Sequence, residues 1–260
     1  MKIANVVILY NVNPEKSATL QFLAKESHRF DMGYYIWDNS PEIQYEKSSL
    51  MDKIQSTDKY HIHNSNNISL AIIYNKSIRL FKNYDAIVFW DQDSNPSPLY
   101  FDKLKIGISN NPDIDLFLPK IYCGNKLVSP AKLGIVRGKL LKNLNPGLIS
   151  SKGMCAITSG MCVKLSFFKV SGFQFNEELK LYGIDTDFSI SYRKLRHFYF
   201  LINIAINHDL YELSSGRDEV EVKKRFKNKM DALKITYKDH RINKFVLFIY
   251  KLYLSLMGLY

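Results

Sequence analysis

"YDAIVFWDQDSNPSP", Tyr84 to Pro98, sets the frame for the whole chain. Five apolar residues, Ala86 to Trp90, run straight into Asp91-Gln92-Asp93. Ser94, Asn95, Pro96 and Pro98 then stop any regular structure. An apolar strand therefore delivers two carboxylates to its own end, where their like charges repel. Stability gives no reason for such an arrangement, whereas a ligand does: in open α/β sheets, ligands bind beyond the carboxyl ends of the strands.

Outward from this stretch, short apolar runs alternate with amphipathic segments, the pattern of βα units building a mainly parallel sheet. Asn5 to Tyr10 reads as a first strand, and Ser17 to Ser27 as a helix with Leu20, Leu23 and Ala24 on one face. Tyr34 to Trp37 reads as a second strand ending at "DNSP", and Tyr60 to His63 as a short third one. A helix follows from about Ser69 to Phe81, then the opening strand, a helix near Leu99 to Ile108, and the strand "DLFLPKIY". Gly124 to Lys152, rich in Gly, Pro, Lys and Asn, reads as loops facing a substrate. "AITSGMCVKLS" and "FYFLINIAI" resume strand character. The fold class is α/β, with one domain over residues 1–218.

The remainder, residues 219–260, reads as a basic, apolar helical tail. Val222, Phe226, Met230, Leu233 and Tyr237 recur at helical spacing among Lys and Arg. Arg241 to Tyr260 is mostly apolar but is interrupted by Lys244 and Lys251, so it is better suited to lie in a membrane interface than to span it. A helix packed on the domain explains the same pattern equally well.

Composition narrows the partners. Apolar content of 46% and charged content of 23% are ordinary for a folded globular protein. The net charge of +11 implies negatively charged partners: nucleic acid, anionic lipid or phosphate-bearing small molecules. Cys123, Cys155 and Cys162 are too few and too irregularly spaced for a disulfide framework or a Cys-rich zinc site, which fits a reducing cytoplasm. The first residues hold a short strand-like apolar run without the pattern of a secretion signal.

Three polar clusters fall at expected strand ends: Asp38-Asn39-Ser40, Asp91-Gln92-Asp93 and Asn207-His208-Asp209. Alternate residues of an extended segment face the same way, so Asp91 and Asp93 can point together. A hard cation such as Mg²⁺ or Mn²⁺, with its preference for oxygen ligands, would relieve their repulsion and leave positions open for a diphosphate.

In motif order the chain resembles the GT-A glycosyltransferases, in particular the bacterial glycosyltransferase family 2 that includes rhamnosyl- and galactosyltransferases of surface polysaccharide (O-antigen or capsule) assembly. "VVILYN" resembles the first strand, "IWDNSP" the nucleotide-binding turn, and "NISLAIIYNKSI" the helix pattern N-x-G-x-x-x-x-x-N-x-G. "FWDQDS" resembles the D-x-D, "TSGMCVKLSFFKVSGF" the S-G…G-G-F segment, and "LYGIDTDFS" the acidic catalytic motif. The resemblance implies a single GT-A domain with C-terminal amphipathic helices. It places the donor against Tyr10, Asp38, Asn67, Asn75, Asp91, Gln92, Asp93, Ser159 and Gly160, with Asp38 at the base. It also implies a Mg²⁺ or Mn²⁺ at Asp91, Asp93 and His208, Asp185 as general base, and Asp187 in an acceptor-contacting or structural role. Ser69, Ser77 and Ser171 replace glycines of the pattern, which would strain any of these positions that needs φ > 0.

Each residue also has a plainer reading. Asp38 suits a turn, Asp185 a helix N-cap, and His208 a hydrogen-bonded structural role. Asn67 and Asn75 suit a polar surface. His61 and His63 suit an alternating strand with exposed histidines. Glycosyl transfer nevertheless asks for these residue types together, since a diphosphate must leave and an acceptor hydroxyl must lose its proton. One base without a second carboxylate as nucleophile gives a single displacement with inversion, by the logic that separates inverting from retaining glycosidases.

The expectation is an inverting transferase taking a UDP- or dTDP-sugar to a glycan, such as a lipid-linked oligosaccharide. It would work peripherally at the anionic, cytoplasmic face of the inner membrane, with no nucleic acid partner. Two alternatives stand beside it. A sugar-nucleotide nucleotidyltransferase would need a Gly-rich loop after the first strand, where "YNVNPEKSA" has no Gly. A non-enzymatic basic membrane- or nucleic-acid-binding protein would have no use for the acids.

Overall fold

The computed structural model of the protein describes residues 1–44, 47–133, 138–141, 144–207 and 219–238, with positions 248 and 252. The first half alternates as the sequence predicts: β1 (Ile3–Leu9), α1 (Ala18–Glu26), β2 (Met32–Asp38), α2 (Ser49–Lys53), β3 (Lys59–His63), α3 (Leu70–Leu80) and β4 (Ala86–Asp91). Next come β5 (Asn95–Pro96), α4 (Tyr100–Asn110), β6 (Leu116–Cys123), β7 (Lys126–Ser129), β8 (Ala131–Leu133), β9 (Gly138–Lys139), β10 (Gly147–Ser150) and β11 (Met154–Cys155). The chain continues through β12 (Met161–Lys164), α5 (Leu165–Ser171), α6 (Ile184–Leu195), β13 (Phe198–Asn207) and α7 (Glu219–Thr236).

The central sheet runs β3-β2-β1-β4-β12-β6-β13-β10, with β5 added to β13 and β7 to β6. β12 is antiparallel to both β4 and β6, and β10 is antiparallel to β13. The other strands of that row run one way, so the sheet is mainly parallel. Helices cover both faces, which is why its strands read as near-continuous apolar runs rather than strict alternations.

Side chains of β1 divide by parity. Ala4 and Val6 enter one core with Ala71, Ile73 and Tyr74 of α3, Phe188 of α6 and Ala232 of α7. Ile3, Val7 and Leu9 enter the other with Leu20 and Leu23 of α1 and Phe101 and Leu104 of α4. Asn5 is fully buried in the sheet, and the Trp90 indole N–H donates to its Oδ1 at 3.0 Å. Helix starts follow local chemistry. Ser17 caps α1 by accepting from the Leu20 N–H, and Ser69 caps α3 by accepting from the Ala71 N–H.

The structure corrects the sequence reading in three places. Residues 124–152 hold β7 to β10, and β8, β9 and β11 form a separate three-stranded sheet. These strands have two to four residues, too few to display a period. Second, the strand around "GMCVKLS" stops at Lys164, and the aromatic-rich Leu165–Ser171 is a short helix. Third, α7 is no detached tail: Met230 and Ala232 are buried, and Ala232 belongs to the α3 and α6 core. Arg241 to Tyr260 lies outside the described residues except for 248 and 252.

Ser replaces Gly without strain. Ser69 has φ −55° as a helix cap, and among the described residues only Asn11 and Asn67 combine a side chain with positive φ.

Candidate active site at the carboxyl ends of the strands

Register puts the three central strand ends side by side. Leu9 of β1 pairs with Asp38 of β2, and Ile8 pairs with Asp91 of β4. With strands about 4.8 Å apart, Asp38 and Asp91 flank β1 at a span of about 10 Å. Tyr10, exposed, continues from β1 between them.

Asp38 is fully buried. Its Oδ1 accepts from the Ser40 backbone N–H at 3.0 Å and from the Ser40 hydroxyl at 2.5 Å. This is the turn the plainer reading anticipated. Its Oδ2, however, is buried with no hydrogen-bond partner. A buried carboxylate oxygen without a hydrogen-bond partner is expensive. The surrounding wall is well tied. Asn39 Nδ2 donates to Asn67 Oδ1 at 2.8 Å and to the Ile68 carbonyl at 2.9 Å, while His63 Nε2 lies 2.9 Å from the Ser40 carbonyl oxygen. Because a carbonyl only accepts, that nitrogen carries the proton. Asn67 is exposed at φ +44° and braces Asn39 from the rim. His63 thus joins this wall, while His61 is exposed on the same strand.

The Asp91–Ser94 turn is held by its backbone. The Thr19 hydroxyl donates to the Asp91 carbonyl and to the Ser94 carbonyl, and the Ser17 hydroxyl donates to the Gln92 carbonyl at 2.6 Å. Gln92 Oε1 accepts from the Tyr10 N–H at 2.8 Å. Gln92 thus ties the end of β1 to the end of β4. Asp91 is half-buried and Asp93 exposed, so both carboxylates lie at the surface of the strand-end groove.

Ser159 and Gly160 approach from the next strand. The Ser159 and Ser94 hydroxyls share a hydrogen bond, and Tyr100 donates to the Gly160 carbonyl at 2.7 Å. Gly160 has φ +70°, and a Cβ there would sit 2.6 Å from Ile206 Cδ1 and 3.3 Å from Trp90 Cζ3. Only glycine lets this turn lie on the indole beneath Asp91. Both residues are buried and support the floor of the site.

Asp185 lies in the first turn of α6, whose cap is Gly183. It is therefore not the N-cap the sequence also allowed. Burial drives its pKa from 3.8 up to about 7, and the nearby charge of Asp91 adds to that. Hydrogen bonds from the Thr158 hydroxyl and backbone N–H oppose the shift and fix the carboxyl's orientation. Some of Asp185 remains accessible. Asp187, one half-turn on, is also raised by burial, with Lys194 and Lys238 pulling the other way.

Two neighbours were missed from sequence. Tyr74 of α3 is buried, bonded to Thr158, and its hydroxyl pKa is pushed up by burial and then by Asp91 and Asp185. Thr158 links the two. Both look like core or loop residues in one dimension, and only their convergence marks them.

Asn75 takes a different place from the one expected. It is buried, its Nδ2 donating to the Phe175 carbonyl at 2.9 Å and its Oδ1 accepting from the Phe175 N–H at 2.9 Å. Glu177 takes a further bond from Nδ2 at 3.0 Å. Its amide pins the segment before α6 rather than facing the groove. His208 lies outside the described residues, so the metal set reduces here to Asp91 and Asp93. Among the described residues no cluster of three His, Cys, Asp or Glu suits a metal. Two carboxylates at a strand end nevertheless provide the all-oxygen, partly open donor set that Mg²⁺ or Mn²⁺ accepts.

No protein-family profile and no curated protein sequence matches the chain. Its fold does match solved structures. The crystal structure of S. aureus TarS 1–349 aligns with a TM-score of 0.58 at 14% identity, over 94% of this chain and 74% of that one. The same protein in complex with UDP-GlcNAc aligns at 0.53 and 12% identity, over 90% and 67%. GalNAc-T7, crystallised with UDP, GalNAc and Mn²⁺, aligns at 0.60 and 11% identity, over 93% of this chain and 52% of that chain. The architecture is that of the GT-A glycosyltransferases.

Proposed function

We propose that the protein is a metal-dependent, inverting glycosyltransferase of the family 2 type, carrying a sugar from a UDP- or dTDP-sugar to a glycan. One observation carries the reading: Asp185, with a pKa of about 7, stands within electrostatic reach of Asp91 at the end of β4. A base poised near neutrality beside a diphosphate-facing carboxylate is what glycosyl transfer requires. The structure solved with UDP-GlcNAc and the one solved with UDP and Mn²⁺ share the fold and support the donor class.

In this reading Asp38 Oδ2 accepts a hydrogen bond from the nucleobase, whose imide N–H supplies the partner it lacks. Asp91 and Asp93 would hold a Mg²⁺ or Mn²⁺, which when bound would supply positive charge to the departing diphosphate. Asp185 takes the proton of the acceptor hydroxyl as that oxygen attacks the anomeric carbon and the bond to the diphosphate breaks. Thr158 keeps the Asp185 carboxyl aimed, and Tyr74 seals its inner side. No second carboxylate is assigned as nucleophile, so the configuration inverts.

The nucleotidyltransferase alternative is disfavoured by the loop after β1. Its amides are engaged within the chain: Tyr10 N–H to Gln92, Asn11 N–H to Ser40, Glu15 N–H to Asn13 Oδ1 and Lys16 N–H to the Asn13 carbonyl. They cannot also cradle a triphosphate. For the acceptor we favour a lipid-linked oligosaccharide of surface polysaccharide assembly, met at an anionic cytoplasmic membrane face. The +11 charge and the exposed Lys227 and Lys234 of α7 support it. Among the described residues no helix is long and apolar enough to cross a membrane.

The test is a thermal-shift screen of UDP- and dTDP-sugars with Mn²⁺, followed by transfer assays on lipid-linked acceptors. A metal-dependent shift with one sugar family, and turnover with it, is expected. Absence of binding and turnover across the set would overturn the reading.

A further inference from the structure

We infer that α7 is a positioning brace for the base: its inner face holds the Tyr182–Gly183 turn in place, and Ala232 is the residue that sets the gap. The inference rests on the assignment of Asp185 as the base.

Gly183 caps α6 at φ +82°, two residues before Asp185, with no side-chain hydrogen bond to fix it. The turn is fixed from outside instead. A Cβ at Gly183 would lie 3.0 Å from Ala232 Cβ, 3.3 Å from Thr236 Oγ1 and 3.4 Å from Leu179 Cδ2. Backbone and helix are thus already in contact with no room for a methyl group. The adjoining Tyr182 is gripped by the same helix: Arg225 Nη1 donates to its hydroxyl at 3.5 Å, and Lys229 Nζ stands 5.5 Å from its ring centroid. Arg225, Lys229, Ala232 and Thr236 are spaced four, three and four residues apart, which is one face of a helix. Just past the end of the helix, Lys238 pairs with Glu178 at 3.6 Å. The Thr236 hydroxyl is buried without a partner, so α7 presses a polar atom into this contact without a compensating bond.

The inner side of α6 is anchored by other elements, through Thr158 at Asp185 in the first turn and, one turn on, through Ser189, which accepts from the Ala156 N–H. The carboxylate is therefore held between a fixed inner wall and a turn whose outer limit is Ala232. Larger side chains at 232 would drive the turn inward or the helix outward. A misplacement of about 1 Å at a reacting group lowers turnover by about 100-fold. The nucleotide wall at Asp38 and Asn39 belongs to β2 and its turn, on the far side of β1, and would be undisturbed.

The experiment is a graded series in the full chain, Ala232→Ser, Ala232→Val and Ala232→Leu, beside Asp185→Asn. UDP affinity with Mn²⁺ is read by calorimetry, hydrolysis or transfer from UDP-GlcNAc gives kcat, and hydrogen exchange reports residues 182–188. Expected are near-parental kcat for Ser, a fall with side-chain volume reaching about 100-fold for Leu, and UDP affinity within about threefold throughout. Faster exchange at 182–188 should accompany the fall. A folded Val or Leu variant with parental kcat, beside an inactive Asp185→Asn, overturns the brace alone. An active Asp185→Asn overturns the base assignment and the brace with it. If UDP-GlcNAc is not turned over by the parent, unchanged exchange at 182–188 in Ala232→Val and Ala232→Leu overturns the brace.

Discussion

Replacing Asp185 with Asn should inactivate the protein and stabilise it, by an amount that depends on pH. The carboxyl has a pKa of about 7 in the folded state against 3.8 as an ordinary Asp. Between those values the folded chain holds a proton that the unfolded chain has released, so stability falls as pH rises through the interval. At 1.36 kcal/mol per unit, the full penalty above pH 7 is about 4 kcal/mol, falling below about 2 kcal/mol at pH 5 and vanishing below pH 4. Asn removes the penalty while keeping the shape and an acceptor oxygen for Thr158. Urea unfolding of parent and variant in EDTA at pH 5, 6.5 and 8 should show the gap widen with pH, in the variant's favour. A gap that is constant or narrows would refute the account of Asp185 as a buried carboxylate held near neutrality beside Asp91.

Other outcomes follow from the same geometry. Asp38→Asn keeps the oxygen bonded to Ser40 but turns the orphaned acceptor into a donor. UDP affinity should drop about 10- to 100-fold while stability moves by about 1 kcal/mol or less, and unchanged affinity by calorimetry would remove Asp38 from the site. Asp91→Ala should abolish the Mn²⁺ dependence of UDP binding, so an unaltered metal titration would end its assignment as a ligand. Asn75→Ala leaves the Phe175 N–H and carbonyl without partners and should destabilise by about 2 to 4 kcal/mol in urea. Lost UDP affinity at unchanged stability would instead place Asn75 against the donor.

The first half of the fold was legible because its signals are local. Apolar runs such as Ala86–Trp90 and turn residues such as "DNSP" mark strand ends in one dimension, and six motifs in order name the acids as candidates. The short strands between Lys126 and Cys155 were hidden because two to four residues cannot show a period. α5 was hidden because Phe167, Phe168 and Val170 have strand-like composition in a segment too short for helical periodicity. Asn75 was misplaced for a related reason: an amide on a helix reveals nothing of which distant backbone it will meet, and Phe175 is 100 residues away.

Sequence alone determined that carboxylates gather at strand ends, since apolar pattern and turn chemistry are properties of neighbours along the chain. Their electrostatic state was decided only when β1, β2 and β4 came into register and α6 lowered Asp185 beside Thr158 and Tyr74. The unpartnered oxygen of Asp38, the raised pKa of Asp185 and the contact of α7 with Gly183 all depend on what is excluded from a given volume. Burial is set by the packing of residues remote in sequence, so no local pattern contains it.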